Sequence, residues 1–159
     1  MVEGTKIGLE IRRRKCEYRT LPERNPDITM SLIQSCVGEL ASAREFFNRS
    51  TRNLTEEHST YAPAEGVMTT AQVVAHVAQT VDWFIEGAFR PEGFNMDFEG
   101  MAKECMAYTS LAKAREWFEK SIADATKVIE SKTDADMMAP LPAGPIMGGM
   151  PRIAIISSI

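Results

Sequence analysis

Apolar positions recur at three- and four-residue steps in three long stretches of the chain, and each stretch predicts one amphipathic helix. The first runs from about Asp27 or Thr29, after Asn25-Pro26, to about Ser50, with Leu32, Ile33, Cys36, Val37, Leu40 and Phe47 on its stripe. The second, Thr69 to Phe89, opens with Thr69 and Gln72 at the spacing of a capping box. In that motif a hydroxyl and an amide side chain satisfy N–H groups left bare at a helix start. Its stripe is Val73, Val77, Val81, Phe84 and Ala88, and Arg90-Pro91 with Gly93 closes it. The third starts with Ser110 as cap and extends to about Lys132, carried by Leu111, Ala114, Phe118, Ile122, Ala125 and Ile129.

Between these stretches the pattern breaks. Residues 51–68, with Pro63 and Gly66, predict a connection with at most one short helical turn; Phe94 to Tyr108 predicts a short helix around Glu99 to Cys105. Residues 133–151 are rich in Pro and Gly and predict turns, after which Pro151 suits the first position of a fourth helix that Ile153 to Ile156 continue. At the helical rise, Pro151 to Ile159 extends roughly 13 Å against roughly 33 Å for the third helix. The expectation is an all-α, four-helix bundle with an incomplete fourth helix and an open apolar groove.

Composition narrows the class without naming a function. The 159 residues are 44% hydrophobic and 25% charged, which suits one globular domain. Residues 1–29 hold seven Lys or Arg against five Asp or Glu, whereas residues 30–159 hold eleven against seventeen. The first segment, including Arg12-Arg13-Arg14-Lys15, therefore reads as a poorly ordered basic extension, and the bundle as residues 30–159. The net charge of −4 disfavours nucleic acid as a partner, and the absence of a long apolar run predicts a soluble, cytoplasmic chain with no membrane partner. Cys16, Cys36 and Cys105 have no CxxC spacing, so Cys36 reads as a buried free thiol. His58 and His76 are the whole supply of imidazole.

The runs MTTAQVVAHVAQTVDWFIEGAF (Met68 to Phe89), YTSLAKAREWFEK (Tyr108 to Lys120) and LPAGPIMGGMPRIAI (Leu141 to Ile155) resemble the DinB-like family, the DinB and YfiT-like metalloenzymes. The resemblance implies a four-helix bundle, commonly a homodimer, that carries a divalent metal such as nickel or zinc on three histidines. Some relatives are similar to S-transferases that use a low-molecular-weight thiol, with the metal stabilising the thiolate. The family's ligand on the second helix maps onto His76, while its other two form an HxxxH pair on the fourth helix that this sequence does not contain. The expected site is thus incomplete, the chain reads as C-terminally truncated before that motif, and no tight metal binding is expected from it.

By helical projection His76 lies on the flank of its stripe, where it is either an ordinary, partly exposed histidine or a ligand facing the seam. The resemblance favours an inherited ligand position without a working site. Asp82 and Glu86 project opposite the stripe and read as a solvated face, while Trp83 and Trp117 read as packing residues. Catalytic residues and cofactor-binding residues other than His76 are not identifiable. Two functions remain: a metal-dependent thiol S-transferase relative with an incomplete site, or a non-catalytic helical protein that associates through its open groove.

Overall fold

A computed structural model describes residues 30–159, so the expected extension over residues 1–29 lies outside the described residues. Five α-helices follow in order: α1 (Leu32–Thr51), α2 (Thr70–Phe89), α3 (Phe98–Met106), α4 (Leu111–Glu130) and α5 (Asp134–Met138), with 3-10 turns at Glu56–His58 and Arg152–Ser158. The described residues are all-α, as the periodicities predict.

Local chemistry sets the helix starts. Ser31, in an extended conformation, accepts from the Gln34 N–H while Gln34 Oε1 accepts from the Ser31 N–H, both at 3.2 Å. This box starts α1 at Leu32 rather than at Asp27 or Thr29. Thr69 and Gln72 form the predicted box on α2, with Gln72 Oε1 2.8 Å from the Thr69 nitrogen. Ser110 Oγ accepts from the Lys113 N–H to cap α4.

α4 is the central helix. It packs along α2 and against α1, whereas α1 and α2 hardly touch each other. Ala71, Ala75, Ala78 and Ala88 of α2 and Ala114 of α4 have no exposed surface, and their small size lets the two backbones approach. Cys36, Leu40, Val81, Ile85, Phe118, Ile122 and Ile129 form the main core, with the Phe47 and Phe118 rings 4.4 Å apart at its edge. The buried face of α2 is therefore rotated from the predicted stripe. Val81 and Ala88 are buried, but Val73 is 47% exposed, because nothing among the described residues covers that side.

The expected fourth helix is not α-helical. After a loop closed by an isolated Pro140–Pro151 bridge, residues Arg152–Ser158 wind as 3-10 turns against α1, α2 and α5. Ile155 and Ile156 are buried there and fill one end of the space between α1 and α2. Arg152 fastens the segment: its Nε donates to the Ala88 carbonyl at 2.8 Å, one terminal nitrogen to the Asp136 carbonyl at 3.3 Å, and its guanidinium lies over the Phe89 ring. At the other end of the same space a trough stays open.

Candidate functional site

His76 sits on the second turn of α2, held in register by the Thr69–Gln72 box, and is exposed. Its carbonyl accepts from Thr80 Oγ1 at 2.8 Å, while its ring makes no hydrogen bond among the described residues. The positions one turn away are Gln72, Val73, Gln79 and Thr80, none of them an imidazole, thiol or carboxylate. Gln72 is itself engaged, donating to the Met106 carbonyl at 2.9 Å. His76 thus has the accessibility of a ligand without companions.

His58 does not join it. Its Nδ1 accepts from the Thr55 N–H at 3.1 Å and lies 3.0 Å from Thr55 Oγ1, so the ring caps the short Glu56–His58 turn and carries its proton on Nε2. The same turn docks on α4: Ser59 Oγ accepts from the Leu111 N–H at 2.9 Å and Glu56 from the Ala112 N–H at 2.8 Å. The Ala112 amide holds the Glu56 carboxyl below its usual range. This histidine is occupied with structure.

The two thiols among the described residues are equally unavailable. Cys36 and Cys105 are buried and unpaired. Burial pushes Cys36 up, with Glu39 and Asp134 adding to it. Burial and the neighbouring Glu104 push Cys105 up to about 11. Cys105 Sγ donates to Gln79 Oε1 at 3.1 Å, so it serves as a neutral donor rather than a nucleophile.

A catalytic zinc site takes three protein ligands and leaves a position open. Among the described residues no group of three His, Cys, Asp or Glu side chains could hold an ion. Residues 30–159 therefore do not fit the three-histidine metal that the resemblance implies.

One polar face of α2 departs from expectation. Asp82 is not simply solvated: its Oδ2 accepts from Trp117 Nε1 at 2.7 Å, and it is partly buried. Trp83 Nε1 donates to the Asn95 carbonyl at 2.7 Å, and Gln79 Nε2 to Met101 O and Glu104 Oε2, each at 2.9 Å. The sequence signal was Gln79-x-x-Asp82-Trp83, polar groups and an indole on one side of the helix. It acquires meaning only once α3 is seen to pack over that side.

None of the helices is long and apolar enough to cross a membrane, among the described residues. No curated protein and no solved structure matches the chain. The profile of the DinB superfamily matches residues 39–155, from within α1 to the closing 3-10 turns. That match spans most of the sequence, and the chain belongs to the DinB superfamily.

Proposed function

We propose that this domain works by association, its uncovered trough between the end of α1 and the start of α2 receiving the same face of a second copy of the chain. The trough carries the reading. It measures about 230 Å³ and is walled by Phe47, Leu54, Tyr61, Met68 and Val73, with no charged residue in its lining among the described residues. Tyr61 and Val73 are 63% and 47% exposed, so water is kept against apolar surface that a partner would release. A strip carried by every copy can meet itself across a two-fold axis, and an uncharged strip offers nothing to select a charged partner. On this reading the protein is a homodimer.

A second reading rests on His76, whose exposed ring stands one turn from Val73 and has no hydrogen bond of its own among the described residues. It is available as one ligand of a nickel or zinc site completed by groups from outside residues 30–159. A low-molecular-weight thiol is then the substrate class that family membership suggests.

Sedimentation velocity over a wide dilution series tests the first reading. A reversible dimer is expected, with Val73→Glu shifting it to monomer while the far-ultraviolet circular dichroism stays unchanged. A chain that remains monomeric at the highest concentration overturns it.

A further inference from the structure

On the side of α2 away from the trough, α2, α3 and α4 enclose a cleft of about 380 Å³, within the range of small-molecule sites, about 300–1,000 Å³. Three aromatic rings line it, and its charged groups are mainly acidic. Trp117 stacks on Tyr108, with centroids 5.1 Å apart and planes 26° from parallel. Trp83 forms the opposite part of the lining and is braced by Phe94 at 4.8 Å. Asp82, Glu86 and Glu104 contribute carboxylates, and Lys120 is the one cation in the lining among the described residues.

The ion pairs reduce this set in an informative way. Lys120 Nζ is drawn to Asp124, outside the cleft, at 2.6 Å, and Glu86 is matched by Arg90 at 3.3 Å. Among the described residues, Asp82 and Glu104 accept hydrogen bonds from neutral donors alone, the Trp117 N–H and the Gln79 amide. These bonds orient each carboxylate without cancelling its charge. Among the described residues the cleft therefore keeps two carboxylates outside any salt bridge, with Asp82 in electrostatic reach of Lys120, beside indole and phenol rings.

We propose that this cleft binds a small organic ammonium ion. Such a cation gains from the negative face of an aromatic ring as well as from carboxylates, which is the combination present here. A bare metal ion needs its ligands gathered at one point, and no three carboxylates, imidazoles or thiols among the described residues are so gathered. Carboxylates spread around an aromatic-walled space suit instead a cation of several atoms that touches the walls with its body and the acids with its charged end. The reading does not depend on the trough or on His76.

Both tryptophans of the chain, Trp83 and Trp117, line the cleft, so fluorescence excited selectively at tryptophan reports on it. The full chain would be titrated with choline and, separately, with its uncharged isostere 3,3-dimethylbutan-1-ol, with calorimetry as the second readout. Saturable quenching or enhancement by choline is expected, with weaker binding of the isostere. Asp82→Asn and Glu104→Gln are each expected to weaken choline by about fivefold or more, the scale of one charge contact at a partly screened site. Three results overturn the proposal: no saturable response to choline, equal binding of the neutral isostere, or choline affinity unchanged in both variants. The comparison of choline with its isostere uses the natural chain, so it decides the matter even if a variant folds poorly.

Discussion

On one side of α2, Gln79, Asp82 and Trp83 lie between α3 and α4, and each donates to or accepts from a neighbouring element. Nearer the start of α2, Val73 and His76 are exposed, and the His76 ring has no partner among the described residues. Both stretches carry chemistry-bearing side chains on the same regular helix. The difference lies in what is packed against them: a covered polar group is oriented and held, whereas an uncovered one is only present. A ligand-type residue in the right sequence position is thus weaker evidence for a site than a partly buried carboxylate with a fixed donor.

The contrast can be broken most severely at Cys105, on the α3 face that covers Gln79. Its thiol is held neutral up to about 11, against an ordinary value of 9.0, by burial and Glu104. As pH rises past 9, the unfolded chain loses this proton before the folded one does. The stabilisation is therefore complete below that pH and falls, by roughly 2–3 kcal/mol, as pH approaches 11. Denaturant unfolding under reducing conditions should show this loss in the natural chain and a shallower one in Cys105→Ala. Parallel curves for the two proteins would refute a buried, neutral Cys105.

A smaller effect follows at Gly87, also on the covered side. A methyl group there would collide with the Phe94 ring, which braces Trp83 and packs edge-on against Phe84. Gly87→Ala is expected to destabilise by roughly 1–3 kcal/mol, the usual cost of overpacking. Gly38, on the exposed surface of α1 with nothing within 4 Å of such a methyl, supplies the control. Gly38→Ala should stabilise by about 0.5–1 kcal/mol, because alanine restricts the unfolded chain and favours helix. Thermal unfolding of the pair reads both signs at once.

The smallest effect belongs to the uncovered side. His76→Ala should change stability by under about 0.5 kcal/mol, since the ring contributes no packing or hydrogen bond. Added nickel or zinc should leave both proteins' melting temperatures alike. A metal-induced rise that the substitution abolishes would shift the balance to the reading in which His76 is one ligand of a site completed from outside.

The long helices were legible because their signals are local. The Thr69–Gln72 box and the Ser110 cap act within one helical turn, and the stripe of α4 faces a continuous core. Ser31 and Gln34 have the same spacing as Thr69 and Gln72, so the true start of α1 was written in the chain and masked by the more conspicuous Asn25-Pro26. The buried face of α2 was harder. Valines outweigh alanines in any hydrophobic projection, but close helix packing selects the alanines and leaves Val73 outside. The aromatic cleft was not legible, because Asp82 and Trp117 are 35 residues apart and meet only through the approach of α2 and α4. The rotation of the buried face of α2 also leaves His76, read as a flank position, on the exposed face of that helix.

Arg152 adds polar links among elements that also pack against one another. One side chain links the last turn of α2, the carbonyl of Asp136 in α5 and the closing turns, while the main chain of Leu141 pairs with Met150 behind it. Released from Arg152, α5 has only five residues and too few hydrogen bonds to persist by itself. In the terms of amide exchange, the stretch from Thr133 to Ser158 is expected to open as one unit, because Arg152 and the buried Met137, Leu141 and Ile155 tie its parts together.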